Sequence, residues 1–350
     1  MHFLTCFVKN FSTGLIMLVL AALNGQPVLA EPWHIATFEA SKEKPFECSN
    51  CKDKWKDAIK QHIHAPKNGK IMRGHVIEID LSEPKLEIMV TRRNTNGPCA
   101  DHVGTISYTK PPVKGPLPVL LRTVDDWMQE SGVTLAISGS NFHYDADKGV
   151  RAKLPCGEVI GVNLHDGYLD WPPTDKPELL NERVDSDPKW PADALLLYAD
   201  RTAHVVSLEN FDQVKKAAFG IGGLRLYTQN GGDNPNPGAK PAERAARLVI
   251  GVMPDRKHLL VLLVEGESQT KSIYERGVTL NLMRKIIKDL GAVDAINMDG
   301  SGSAQIIGPN GFATRPSDKE GARPIANHLG FRMATEEVTW TSYGTRTEQK

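Results

Sequence analysis

The sequence predicts a single α+β domain, built on a mixed, largely antiparallel β-sheet with several packed helices. Short alternating or apolar runs follow one another along the chain, and residues 194–208 and 247–266 each have the pattern of a β-hairpin. Few stretches show helical spacing, and strand patterns resume after each Pro-rich loop, at 170–191 and 229–241. Many antiparallel pairs with few helices are typical of α+β domains.

The first 30 residues have the pattern of an export signal. Lys9 supplies positive charge, residues 14–23 are apolar, and small residues precede a cleavage site after Ala30. A membrane span needs roughly 20 apolar residues, so this run is short for a stable anchor, although an uncleaved anchor stays an alternative. We therefore expect an exported protein, periplasmic or secreted, without a stable membrane span in the mature chain.

The charge balance excludes some classes of partner. The chain has 42 basic and 42 acidic residues, which are interleaved without a basic patch or a charged tail. Nothing in this balance would attract nucleic acid or an anionic membrane surface over a distance. No nucleic-acid partner is therefore expected.

After the signal, residues 31–74 are predicted to form an N-terminal extension with a C-x-x-C pair. Four cysteines remain, an even number in an oxidising compartment, so disulfides are expected, with the pairing open. A zinc site is less well supported because no second C-x-x-C follows, and a redox motif would need a strand before the pair. The four are Cys48, Cys51, Cys99 and Cys156.

The domain itself is predicted over residues 75–335, followed by a polar tail at 336–350. Its alternating start, residues 75–90, predicts a hairpin with one face exposed to water. Further segments are assigned from their periodicity and from Gly or Thr at their ends. They are a helix over 119–132 starting its apolar stripe at Leu120, strands over 133–137 and 158–164, a helix over 279–291, and a buried strand over 293–298.

The stretch 292–308, AVDAINMDGSGSAQIIG, places Asp299 between that buried strand and a turn of Gly and Ser. Small residues let a ligand approach, and N–H groups of such a turn can bind an anion. A site with a carboxylate beside oxyanion donors is one interpretation. The other is a tight structural turn in which Asp299 only caps its own Gly.

Several motifs resemble those of the phosphodiester glycosidase family. Asn297 to Ser303 resembles its N-x-D-G-G-G-S signature, with Ser301 in place of the middle Gly. The segment 136–149, AISGSNFHYDADKG, resembles its N-G-G-F-F loop, with Ser138 in place of Asn and Asn141 as a polar substitute. Further matches lie at Arg247 and Gly251, at 264–266, at 277–280, and at Arg323, Pro324 and Asn327.

The resemblance implies hydrolysis of the bond between a sugar C1 and a phosphate oxygen. Phosphate is a weakly basic leaving group, so strong general-acid assistance matters less than in ordinary glycosidases. Asp299 is the predicted catalytic carboxylate and Glu265 the candidate for a second, with a salt bridge as the alternative role of Glu265. Arg247 suits the phosphate because its guanidinium forks onto two oxygens. The predicted substrate-binding residues are Arg247, Asn297, Gly300, Ser301, Gly302, Ser303, Asn141, Arg323 and Asn327.

Other residues of the sequence bear on this function. Asp145 and Asp166 have the pattern of turn residues, and His143 and His165 could be a base or sugar contacts, although a loop histidine is more often neither. No G-x-S-x-G elbow of a serine hydrolase occurs. We expect a carbohydrate or phosphosugar partner, no cofactor and no metal site, although Asp299 and Glu265 leave a divalent cation open. The rival hypothesis is a non-catalytic carbohydrate-binding or envelope-assembly protein on the same fold.

Overall fold

Antiparallel strand pairing dominates the protein, as the sequence predicts. The computed structural model describes residues 31–92, 96–107, 112, 114–171, 193–207, 212–235, 241–267 and 272–347. The chain divides into Met1–Glu31 and Pro32–Lys350, and every element named below lies in the second unit. The predicted signal peptide and most of the loop at 170–191 lie outside the described residues.

The elements confirm an α+β fold. The helices are α1 (Asp53–Lys60), α2 (Val124–Ser131), α3 (Asp212–Lys215), α4 (Leu280–Asp289) and α5 (Tyr343–Thr347). The strands are β1 (Trp33–Ala40), β2 (Glu47–Ser49), β3 (Met72–Asp80), β4 (Leu86–Val90), β5 (Val103–Thr105), β6 (Lys114–Pro116), β7 (Val119–Leu120), β8 (Leu135–Ser138), β9 (Phe142–Tyr144), β10 (Cys156–Val159), β11 (Asn163–His165), β12 (Tyr168–Trp171), β13 (Asp193–Tyr198), β14 (Ala203–Ser207), β15 (Ala217–Thr228), β16 (Gly232–Asp233), β17 (Arg247–Val252), β18 (His258–Val264), β19 (Asp294–Asn297), β20 (Ile306–Ile307) and β21 (His328–Met333).

A 12-stranded sheet forms the larger part of the fold. Its main path runs β12-β11-β15-β19-β17-β18-β3-β1-β2, with β13, β14 and β16 attached to β15 or to one another. The predicted hairpins β13–β14 and β17–β18 are confirmed. Strand β1 pairs with β3 along its whole length, from Trp33 opposite Ile79 to Ala40 opposite Met72. Residues before 75 thus contribute a full strand to this sheet.

A smaller sheet has the order β20-β8-β21-β4. The predicted hairpin of β3 with β4 is wrong, because β3 pairs with β1 and β18 while β4 pairs with β21. Ile77 and Ile79 of β3 and Ile88 of β4 nevertheless lie in one apolar cluster. The turn after β3 therefore passes the chain from one sheet to the other, across a shared core. Alternation predicted the buried face of each strand, but it carries no information on the pairing partner.

The large sheet is covered on both faces. One face packs against the small sheet through a cluster that includes Leu248, Leu263 and Ile137. The other face packs against helices α1 and α4, where Ile59 and Ile286 are fully buried. Truncation of such a buried Ile to Ala costs about 2–5 kcal/mol, so both helices depend on this apolar contact for their stability.

The start of helix α4 agrees with the sequence prediction, whereas the start of helix α2 does not. Helix α4 begins after Thr279, whose side chain accepts a hydrogen bond from the Leu282 N–H, as predicted, and Gly291 follows it at φ 101°. Helix α2 begins only at Val124, capped by Thr123, whereas the predicted stripe began at Leu120. Leu120 instead lies in β7, paired with Cys156. An apolar residue at helical spacing belonged to the preceding strand.

The predicted strand over 158–164 is divided. Strand β10 ends at Val159 and β11 begins at Asn163, with Gly161 between them at φ 91°. A Cβ on Gly161 would come within 3.2 Å of the Gly222 Cα, so the chain bends where two glycine backbones pass closely.

Disulfides join Cys48 to Cys51 and Cys99 to Cys156. The expectation of disulfides is confirmed, and the pairing that the sequence left open is assigned. The C-terminal segment packs onto the domain through Trp340 and Tyr343, both buried. Within the described residues, no helix combines the length and apolar character that a membrane crossing requires.

Candidate active site

Asp299 lies directly beyond the end of β19, in the middle of the large sheet. Strand β19 is buried along its length between β15 and β17, and the Met298 N–H still bonds the Leu248 carbonyl at 2.9 Å. The chain then turns away, and the Ser301 N–H bonds the Ala246 carbonyl at 2.8 Å. The apolar strand therefore presents the half-buried Asp299 at the sheet end, as predicted.

The loop after β8 meets Asp299 from the small sheet. The Asp299 N–H donates to the Gly139 carbonyl at 3.0 Å. The Asn141 side-chain amide donates to Asp299 Oδ1 at 2.9 Å, and the Gly300 N–H donates to the same oxygen at 2.9 Å. The carboxyl group is thus oriented by groups from two sheets. The hydrogen bond from the Gly300 N–H is the contact that a purely structural turn would make. The hydrogen bond from Asn141 is not part of such a turn, because Asn141 lies 158 residues away in the chain.

Asn327 fixes the position of the β8 loop. Its Oδ1 accepts from the Ser140 N–H at 2.8 Å and from the Ser140 hydroxyl at 3.2 Å. A Cβ on Gly139 would lie 2.3 Å from the same oxygen, so the close approach requires glycine. Asn327 and Asn297 are both buried, at 0% and 4% exposure, which favours a positioning role over direct substrate contact.

The Gly and Ser turn is less open to a ligand than its sequence suggests. The N–H groups of Gly300, Ser301 and Ser303 bond Asp299, Ala246 and Gly300 respectively. These backbone donors are therefore already engaged within the protein. Ser301 is exposed at the turn, so its hydroxyl is the donor best placed to meet a substrate.

Burial raises the pKa of Asp299 above its usual value. The Ser303 hydroxyl, the Arg323 guanidinium, the Gly300 N–H and the Arg247 guanidinium oppose this rise. A raised pKa makes an ionised carboxyl group a stronger base than an exposed aspartate, which suits proton transfer.

Two of the predicted arginines, Arg247 and Arg323, lie near Asp299. A third arginine, Arg151, shares the partner of Arg323. Arg247 starts β17 and donates a hydrogen bond to the Glu243 carbonyl at 2.9 Å. Arg323 donates two hydrogen bonds to the Asp318 carboxylate, at 2.8 and 2.9 Å. Arg151 bonds the same Asp318 at 3.3 Å. A Cβ on Gly302 would lie 2.2 Å from Asp318 Oδ1, so the turn packs directly against this cluster.

Sequence reasoning did not find Arg151 or Asp318. Asp318 lies in an irregular segment and Arg151 in a turn, and neither carries a motif. The Arg–Asp–Arg cluster provides positive charge beside the Gly and Ser turn, where an anionic group of a substrate could bind.

Glu265 lies at the same end of the sheet, just beyond β18. It is buried, and its Oε1 contacts His75 Nε2 at 3.0 Å and the Arg315 N–H at 3.0 Å. Oε2 is 3.1 Å from the Arg315 guanidinium. Burial alone would raise the pKa of Glu265, but His75 and Arg315 outweigh it and hold the pKa below its usual value. With β17 between β18 and β19, the two strands that end near Glu265 and Asp299 lie roughly 10 Å apart.

This environment favours the salt-bridge role of Glu265 over that of a second catalytic carboxylate. Within the described ranges, no group of three or more His, Cys, Asp or Glu side chains is arranged to hold a metal ion.

A sequence profile of the phosphodiester glycosidase family matches residues 131–332. The chain belongs to the phosphodiester glycosidase family. The matched region contains Asp299, the β8 loop and the Arg–Asp–Arg cluster, so these three features lie inside the family domain. A search of curated proteins found no significant match.

A solved structure of a phosphodiester glycosidase catalytic domain supports the fold. The catalytic domain of zebrafish N-acetylglucosamine-1-phosphodiester alpha-N-acetylglucosaminidase, auto-inhibited by its pro-peptide, superposes with a TM-score of 0.54 at 16% identity, covering 88% of this chain and 85% of that chain. A Burkholderia pseudomallei protein described as exported gives a TM-score of 0.48 at 13% identity over 77% of this chain and 76% of that one.

Proposed function

We propose that this protein is an exported hydrolase that cleaves the C1 to phosphate oxygen bond of a sugar 1-phosphodiester in an envelope polysaccharide or glycan. The observation that carries the proposal is the Asp299 carboxyl, oriented from both sheets and flanked by Arg247 and Arg323. Family membership supports the reaction class, and the N-terminal pattern supports export.

In the proposed reaction, water attacks C1 while the bond from C1 to the phosphate oxygen breaks. The bonding electron pair leaves with the phosphate, which needs little protonation because it is a weak base. A positive charge develops at C1, and the Asp299 carboxylate stabilises it. Arg247, with Arg323 and Arg151, binds the phosphate oxygens through charge-assisted hydrogen bonds. The proton of the attacking water passes to a carboxylate of the site.

The convergence of Asn141 on Asp299 favours an enzyme over the rival carbohydrate-binding protein. A binding module needs hydrogen-bonding and apolar surface, but it does not need a half-buried carboxylate beside the guanidinium groups of Arg247 and Arg323. The departures from the family signature at Ser138 and Ser301 motivated the rival hypothesis. Ser138 is buried, and its hydroxyl accepts the Gln305 N–H at 3.0 Å, so this substitution is satisfied inside the protein.

Asp299→Asn tests the reaction. The substitution keeps the shape and the hydrogen bond from Asn141 but removes the negative charge, so we expect turnover to fall at least ~10³-fold with unchanged stability. The measurement is sugar release from a panel of sugar 1-phosphodiesters, N-acetylglucosamine α-1-phosphate esters first. Glu87→Gln, on β4, is the matched control, because it too replaces a carboxylate by the amide of the same shape. Equal turnover by the folded variant and the wild type would exclude Asp299 from catalysis.

Export is tested by the N-terminus of the protein recovered from the producing cell. Cleavage after Ala30 predicts a mature chain that starts at Glu31, found outside the cytoplasm. Intact mass of the purified protein decides this. A chain that keeps its first 30 residues in the cytoplasmic fraction would contradict the proposal.

A further inference from the structure

A three-stranded sheet adjoins the site. One of its faces is apolar, and the other carries polar side chains next to the buried Cys156 and the half-buried Leu120. Its order is β7-β10-β9. Phe142 of β9 stands opposite Val159 of β10, and both pack in an apolar cluster with Val119 of β7. Alternate residues of a strand point to opposite faces, so the neighbours of Phe142 and Val159 lie on the other face.

That other face carries His143 and Glu158, which stand directly opposite each other. The ladder continues one step further, where the Ile160 N–H bonds the Asn141 carbonyl at 2.9 Å. Asn141, two residues before His143, therefore shares the face of His143 and Glu158. Because the Asn141 amide bonds Asp299, this polar face is directed towards the candidate site.

Register gives the backbone spacing between Asn141 and Glu158. Asn141 and Glu158 are diagonal neighbours across the strand pair, which places them about 7–8 Å apart. Asp299 Oδ1 is 2.9 Å beyond the Asn141 amide. Glycosidases use two carboxyl groups around the reacting bond, and Glu158 lies on the face that meets Asp299 through Asn141.

Burial distinguishes Glu158 from an ordinary surface carboxylate. Its exposed fraction is 6%, and acidic side chains are seldom buried unless a partner or a function holds them there. His143 is only half-buried, and its Nδ1 lies 2.8 Å from the Ser107 carbonyl. A carbonyl only accepts, so Nδ1 carries the hydrogen, and the lone pair of the neutral ring is at Nε2.

We propose that Glu158, with His143 beside it, is the second catalytic carboxylate of this protein and accepts the proton of the attacking water. The inference rests on the proposed function and divides its tasks between two groups. The water oxygen forms a bond to C1, its proton passes to Glu158, and the bond from C1 to the phosphate oxygen breaks with its electron pair on the phosphate. Asp299 stabilises the charge at C1.

Glu158→Gln tests this role in the purified protein. Loss of a general base lowers turnover by about 10²–10⁴-fold. Sodium azide, an anionic nucleophile that needs no deprotonation, is then expected to restore turnover in Glu158→Gln and to yield a glycosyl azide. The acidic limb of the wild-type pH profile is expected to disappear in the variant. Glu87→Gln, which changes a carboxylate paired with Arg332 on β4, is the control and keeps wild-type turnover.

Binding of the cationic iminosugar 1-deoxynojirimycin separates this inference from the proposed function. If no phosphodiester is hydrolysed by the wild type, the proposed function fails. A tenfold or greater loss of iminosugar affinity in both Glu158→Gln and Asp299→Asn, but not in Glu87→Gln, would still support two carboxylates in one site. The inference is overturned if Glu158→Gln matches the wild type in affinity, or if it is active with an unchanged pH profile, or if azide restores nothing.

Discussion

At the scale of single residues, Ser301 occupies the backbone position where the family signature has a glycine. Its φ of 55° is in the left-handed region, which costs a non-glycine residue about 1–2 kcal/mol. Ser301→Gly removes that strain but gives the unfolded chain more freedom, so we expect the free energy of unfolding to change by less than about 1 kcal/mol. Urea unfolding measures it.

Gly302→Ala is the contrasting variant one residue along. The added Cβ would collide with Asp318 and Arg323, so we expect a loss of about 1–3 kcal/mol. Equal effects of the two substitutions would contradict the described turn.

His328 makes the stability depend on pH. Burial lowers its pKa to about 3, with a smaller contribution from the Arg122 charge, while its unfolded value is near 6.5. The native state therefore binds fewer protons than the unfolded state between those values, and stability falls as the pH drops through this window. Between pH 7 and pH 5 the loss from one such group is about 2 kcal/mol.

The variant that isolates this effect is His328→Gln, which cannot titrate. Its amide can still donate to the Arg122 carbonyl and accept from Thr91, the two partners of the imidazole. We expect wild-type stability, measured by urea unfolding at pH 7 and pH 5, to fall by about 2 kcal/mol more than that of the variant. Parallel losses in the two proteins would show that other groups carry the pH dependence.

The sequence predicted the position of the candidate carboxylate, because chemistry and local pattern coincide there. Asp299 follows a buried strand and precedes small residues, and both signals are local. Asp318, Arg151 and Glu158 could not be found in this way, because their places depend on contacts between distant segments. The interpretation of Glu265 depended equally on His75 and Arg315, which lie 190 and 50 residues away in the chain.

At the scale of elements, the two disulfides differ in what they restrain. Cys99–Cys156 closes a loop of 57 residues and joins the segment before β5 to β10, whereas Cys48–Cys51 spans 3 residues. By loop-closure entropy the long bridge contributes about 4 kcal/mol and the short one about 2 kcal/mol. We expect Cys99→Ala with Cys156→Ala to be the more destabilising pair, measured by urea unfolding without reductant.

The Cys99–Cys156 disulfide is also expected to affect the proposed site. Cys156 is two residues before Glu158 on the same strand, so it shares the polar face. Loss of the long bridge is therefore expected to reduce turnover as well as stability, while Cys48→Ala with Cys51→Ala leaves turnover unchanged. A larger effect from the short bridge on either quantity would be inconsistent with this arrangement.

Element prediction succeeded where a segment is both locally periodic and locally paired. The hairpins β13–β14 and β17–β18 meet both conditions, and so does helix α4 with its Thr279 cap. Strands β3 and β4 are equally periodic, but each finds its partners far away in the chain. Periodicity reports burial, and pairing across sheets is a property of the whole fold.

At the scale of the whole molecule, the site exists only where the two sheets meet. Asn141 belongs to the loop after β8 in the small sheet, and Asp299 follows β19 in the large sheet, 158 residues later. The family signature contains only one side of this contact. The α+β class could be predicted from the elements, but the sheet junction that assembles the site could not.

Strand β21 is central to the small sheet although it is the last strand among the described residues. It lies between β8 and β4. During synthesis, which runs from the N-terminus, β4 and β8 must therefore wait with open edges until residue 333 has emerged. The Asn141 loop, which Asn327 fixes from the residue before β21, has to wait with them. A chain that is held unfolded until it is complete, as for passage through a translocon, avoids this exposed intermediate.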